Sequence, residues 1–146
     1  MIVVATKWAR HGDDLSHIEI EMVEITDGVR VTTTNPQMLA GVSVDLEITV
    51  PEDTRPTLHN GAGGIVYEGE AQGNCRFETG AGSITLKLPV DIDVEVYLSV
   101  GAGTIVVDFP VNGHVSQHLV DGVIGTGAKG RIVATVGAGT INVYRQ

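Results

Sequence analysis

The feature that most constrains this chain is a five-residue phrase: Gly-Ala-Gly, one small residue, then Ile. It occurs four times, at 61–65, 80–84, 101–105 and 137–141. The first three copies begin 19 and 21 residues apart, and the fourth follows after 36. A recurrence near 20 residues marks a repeat architecture, in which each unit is one supersecondary element that buries its apolar side on its neighbours. The longer last spacing places an insertion at about 112–128. Four units follow: 51–69, 70–88, 89–109 and 110–146.

Aligned on the phrase, the units fall into columns. Apolar columns hold Pro56, Cys75, Val96 and Ile132; Leu58, Phe77, Leu98 and Ala134; Ile65, Ile84, Ile105 and Ile141; and Tyr67, Leu86, Val107 and Val143. The columns between them are mostly polar, as in His59, Glu78, Ser99 and Thr135, or Glu68, Lys87, Asp108 and Tyr144. A period of two is that of a strand with one dry and one wet face. Like residues in register imply that strands stack, Ile upon Ile. Glycine suits the bend between the two short strands of a unit, where the chain turns sharply and backbones approach closely. The expected fold is all-β: a short parallel β-solenoid, β-helix-like, with a β-sandwich turning at each phrase as the alternative. In the solenoid, Ile65, Ile84, Ile105 and Ile141 are buried, the first three one above another.

Residues 1–50 read as an entry or cap segment of strands joined to the repeats of 51–146 in a single domain. Strands are expected from Ile2 to Trp8, from His17 to Ile25 with Ile18, Ile20 and Met22 on one face, from Val29 to Thr34, and from Val42 to Val50 with Val44, Leu46, Ile48 and Val50 on one side. Asp27-Gly28 between two alternating runs signals a hairpin. Aromatic residues make up only 4% of the chain, so its core must be built mainly from aliphatic side chains.

Charge excludes some function classes. The formal net charge is −9, and the nine lysines and arginines form no cluster, which argues against binding nucleic acid. An anionic membrane surface would repel such a chain. The single cysteine, Cys75, allows no internal disulfide, and no apolar run is long enough for a spanning helix. The first residues, Met1 to Ala5, are too short for a signal h-region, so the expectation is a cytoplasmic protein or a soluble piece of a longer one.

Several stretches resemble the bacterial putative-adhesin β-strand-repeat family. They are Lys7-Trp8-Ala9, the run from Val42 to Pro51, Gly82-Ser83-Ile84-Thr85-Leu86-Lys87-Leu88-Pro89, and Gly125-Thr126-Gly127 with the closing Val136-Gly137-Ala138-Gly139-Thr140-Ile141. The family commonly carries Asp or Asn after the second glycine of the phrase, where this chain has Gly64, Ser83, Thr104 and Thr140. The resemblance implies a β-helix-like fold and an envelope-associated, adhesion-type role outside the cytoplasm. It implies no catalytic residues.

Candidate chemistry is sparse. Asp91, Asp93 and Glu95 alternate, so as a strand they share an outer face, where neighbours about 7 Å apart could hold Ca²⁺ or act as an acid–base pair. A solvated strand face is the simpler reading. His114 and His118 are bracketed by turn residues and read as loop. Cys75 falls in an apolar column and reads as a small buried hydrophobe. Residues 125–130 match Gly-x-Gly-x-x-Gly, but a strand pattern follows where a phosphate loop needs a helix. Tyr97 and Tyr144 are expected to face outward.

The sequence thus points to no catalytic, cofactor-binding or metal-ligating residue and to no cofactor. The expected function is a non-enzymatic structural or interaction module, whose partner is another protein or a surface glycan. Self-association through the ends of the stack, and a carbohydrate-binding or carbohydrate-active β-helix, are the alternatives.

Overall fold

A computed structural model describes residues 2–9, 19–25, 28–34, 42–49, 55–71 and 73–146. The all-β expectation holds. The described residues form ten strands and no helix: β1 (Ile2–Ala9), β2 (Glu19–Ile25), β3 (Gly28–Thr34), β4 (Val42–Thr49), β5 (Arg55–Glu68), β6 (Gly73–Leu88), β7 (Val94–Val107), β8 (Asn112–Val115), β9 (Leu119–Ile124) and β10 (Gly130–Arg145). They belong to one mixed sheet in the order β1-β4-β5-β6-β10-β7-β9-β8, and β3, paired to β2, joins β5 beside β4. The expected Val50 and the stretch around His17 and Ile18 lie outside the described residues.

The four long strands each carry one phrase near the middle. Before it, every second side chain is buried: Pro56, Leu58 and Asn60 in β5, and Cys75, Phe77 and Thr79 in β6. After it the buried set resumes at Ile65 and at Ile84, an odd step that strict alternation cannot take. The phrase therefore re-aims the strand so that both halves present an apolar side to the same core. Its second glycine makes this possible. Gly82 and Gly139 have φ of 137° and 143°, and a Cβ on either would overlap the backbone of the second glycine in the neighbouring strand. Any other residue is barred there twice, by conformation and by the closeness of the next strand.

The strands pair parallel and in register, phrase on phrase, but not in chain order. Ile65 lies beside Ile84, Ile84 beside Ile141, and Ile141 beside Ile105. The expected run Ile65, Ile84, Ile105 is therefore corrected: β10 is inserted between β6 and β7. Ile65, Ile84 and Ile141 are fully buried, whereas Ile105, at the end of the row, is half-buried. Packing across the rows is complementary. Small Ala134 sits between Phe77 and Leu98, and the Phe77 ring meets Tyr67 with centroids 4.9 Å apart at a tilt of 51°.

Each end of the row is closed differently. At the β5 end, β3 pairs parallel with the first half of β5 and β4 with its second half, so the two short strands stand where one further long strand would be. Asn60 clips them together from below. Its side-chain N–H donates to the Val44 carbonyl at 2.5 Å, and its side-chain oxygen accepts from the Thr33 hydroxyl at 2.6 Å. β1 and β2 then pair antiparallel on the outside of β4 and β3. Met22 is 57% exposed rather than buried, whereas Ile20 on the same face is partly buried against the core. At the β7 end, the insertion forms the β8–β9 hairpin. β9 pairs antiparallel with the first half of β7, and its connecting residues accept hydrogen bonds from Val100 N–H and Ile105 N–H through the carbonyls of His118 and Gln117.

Candidate functional site

The two halves of the long strands give two outer faces. On the second halves, the position after the second glycine runs across neighbouring strands as Gly64, Ser83, Thr140 and Thr104, and the position two further on as Val66, Thr85, Asn142 and Val106. β4 extends the first file with Asp45 and aligns Glu47 with Val66. These side chains are short, so the face is low. Gly64 leaves a gap in its file, and there a shallow depression of about 300 Å³ opens, lined by Val4, Thr6, Asp45, Glu47, Val66 and Ser83. The Asp45 carboxylate accepts from Gly64 N–H at 2.7 Å. The floor is thus apolar at Val66, with a hydroxyl at Ser83 and carboxylates on one bank, a chemistry suited to hydroxyl or ammonium groups of a ligand.

The outer face of the first halves carries a paired charge cluster. Glu78 sits between two bases: Arg76 donates to one carboxylate oxygen at 2.7 Å, and the His59 ring lies 3.0 Å from the other. The hydrogen bond from Arg76 holds the Glu78 carboxyl below the usual range, with His59 adding to the effect. Tyr97 is half-buried on this face, and Tyr144 is 44% exposed on the other, as expected of outward aromatics.

The carboxylates Asp91, Asp93 and Glu95 do not share one strand face. β7 starts at Val94, and Asp93 precedes it in the connection from β6. Its carboxylate accepts from the N–H groups of Thr126 (2.6 Å) and Gly127 (2.7 Å) and from the Thr126 hydroxyl. The same stretch, 125–128, is the one that matches a phosphate-loop pattern. Its amides do form an anion-binding nest, and the anion is the chain's own Asp93. The Thr126 bonds hold the Asp93 carboxyl below its ordinary range. What the sequence concealed was the contact, since Asp93 and Thr126 are 33 residues apart.

Cys75 is buried, as expected, and burial pushes its thiol up to about 12. Tyr67 beside it is raised too, again chiefly by burial. Neither group is in a state to act as a nucleophile near neutral pH. His114 and His118 are exposed and lie in the β8–β9 hairpin and its turn, so the insertion is a cap element rather than a plain loop. Among the described residues, no group of three or more His, Cys, Asp or Glu is arranged to hold a metal ion. Among them, too, no helix is long and apolar enough to cross a membrane.

No protein-family model matches the chain, and no curated protein matches it. Among solved structures, it is similar to a putative cell adhesion protein from Clostridium sporogenes, at 16% identity, covering 88% of this chain and 76% of that one, with a TM-score of 0.45.

Proposed function

We propose that this chain is a non-enzymatic interaction module of the putative-adhesin repeat type: a short solenoid-like stack that presents flat outer faces to a partner outside the cytoplasm. The observation that carries the reading is how the reactive groups are tied into the fold. The Asp93 carboxylate is occupied by a turn, Glu78 is bridged between Arg76 and His59, and the Cys75 thiol is buried. Facing out on the second halves are two files of short hydroxyl, amide and aliphatic side chains in register, followed at the strand ends by Glu68, Lys87 and Tyr144, a surface for contact. Parallel pairing through both halves of successive strands supports a solenoid over a sandwich, because a sandwich built from hairpins would pair them antiparallel. The wording of the repeats supports the adhesin-type role and the envelope-side location.

A surface glycan is the ligand class that the depression at Gly64 favours, since hydroxyl groups can donate to Asp45 and Glu47 while a sugar's C–H face rests on Val66. A glycan-array screen followed by product analysis tests this. The expected result is retention of a glycan with no new reducing ends, and at least a tenfold loss of binding in Gly64→Val with an unchanged melting temperature. Product formation that disappears in Glu47→Gln would replace the reading with a carbohydrate-active one.

A further inference from the structure

In chain order β10 follows β6 and β7, yet in space it lies between them. β6 and β7 are joined only by residues 89–93. The slot they leave is two strand spacings across, roughly 10 Å. Its two walls are alike: each presents a Gly-Ala-Gly phrase that pairs parallel and in register with β10. Into this slot β10 brings Ile132, Ala134, Val136, Ile141 and Val143, all buried.

The strand enters by a single route. β9 ends opposite Val94 on one side of β7, the chain passes round the start of β7 through 125–129, and β10 begins on the other side. That turn runs over the surface. Gly125 and Gly127 within it have φ of 73° and 75°. What it wraps is Asp93, whose carboxylate takes the Thr126 and Gly127 N–H groups and whose carbonyl takes Lys129 N–H at 3.0 Å. A strand that completes a core between two like walls, and that arrives through a surface turn held by Asp93 and by Gly73, whose N–H donates to the Lys129 carbonyl at 2.9 Å, has the geometry of strand exchange.

We propose that β10 is an exchangeable strand: two copies of this chain trade it reciprocally, each filling the slot between β6 and β7 of the other. Every buried contact of β10 is reproduced in the exchanged form, because the donated strand meets the same two ladders. Only the turn changes, from a wrap round Asp93 to an extended crossing between chains. Reciprocal exchange is two-fold and closes at the dimer. The slot selects this occupant over an unrelated peptide, because only a strand with glycine at the place of Gly139 clears the Gly82 backbone. The inference concerns assembly alone and does not depend on any outside ligand.

The test uses Cys75. Ile132 lies opposite it on the adjacent strand, and neighbouring strands are about 5 Å apart, within the span of a disulfide. Ile132→Cys is refolded oxidatively at low and high protein concentration and run on a non-reducing gel. Exchange joins two chains through Cys75, so the covalent dimer should rise with refolding concentration and vanish on reduction. In a second variant, Thr126, Gly127 and Ala128 are deleted. The two residues then left between Ile124 and Gly130 reach about 11 Å at full extension, no more than the straight gap of two strand spacings that β7 itself fills, so they leave no length for the detour round its start, and this variant should sediment as a dimer at concentrations where the parent is monomeric. Disulfides confined within single chains at every concentration, or a deletion variant that stays monomeric whether folded or not, overturn the proposal.

Discussion

The two ends of the row of long strands solve the same problem in different ways. At both, a strand must stop without leaving its apolar side and backbone groups to water. At the β5 end a complete layer is laid on top, split between β3 and β4 and fastened by Asn60 through Thr33 and Val44. At the β7 end β9 pairs only with the first half, and beyond it the Gln117 carbonyl takes the Ile105 N–H, while 101–104 are exposed and Ile105 and Val107 are half-buried. The difference teaches where the stability of such a stack resides. A position of identical sequence is worth most when it has a neighbour on both sides, because burial rather than the residue's own propensity sets its contribution.

The sharpest way to break that comparison is to truncate the same residue in two places. Ile141, flanked by Ile84 and Ile105, is fully buried, and Ile141→Ala is expected to cost about 2–5 kcal/mol by lost transfer and cavity formation. Ile105→Ala, at the half-buried end of the row, is expected to cost about half as much, in proportion to the area it covers. Denaturant melts of both variants decide the matter. Equal losses would mean that a surface not seen here covers the β7 end.

A smaller effect is expected at the clip. Asn60→Ala leaves the Val44 carbonyl and the Thr33 hydroxyl without this partner, at about 1–3 kcal/mol. The loss should be local. Amide exchange is expected to accelerate in β3 and β4 and their antiparallel partners β2 and β1, with β7 and β9 unchanged. Acceleration spread evenly over the sheet would show that Asn60 supports the whole core and not one end of it.

Asn60 also marks what the sequence could and could not convey. The inward columns were legible because every unit must turn the same face to the core, so the pattern is written four times. Asn60 stands in an inward position continued by Thr79, Val100 and Val136 that the column reading passed over, and its partners, 16 and 27 residues away, left no mark in the sequence. The stacking order was hidden for the opposite reason. Four like phrases offer nearly the same contacts in any order, so no side chain announces that Ile141, and not Ile105, sits on Ile84. Asp93 misled by spacing. Its alternation with Asp91 and Glu95 suggested a strand face, but β7 begins one residue later, which frees Asp93 to take the amides of 125–128.

That last contact gives the gentlest probe of the difference between the ends, because the Asp93 pin ionises and the Asn60 clip does not. Hydrogen bonds from Thr126, followed by those from the neighbouring backbone amides, depress the folded-state pKa of Asp93 below its unfolded value near 4. Its contribution to stability is therefore fully present above the unfolded value and is lost as pH falls through the lower folded one. Glu78, depressed mainly by Arg76, titrates in the same direction, so a bulk acid melt mixes the two. Local readouts separate them. On acidification the amides of Thr126 and Gly127 should lose protection together, ahead of the β3 and β4 amides that Asn60 fastens. In Asp93→Asn this acid step should be absent, while the part due to Glu78 remains. Simultaneous loss of protection at both ends would mean that the turn and the clip open as one cooperative unit, and that the two ends differ in construction but not in stability.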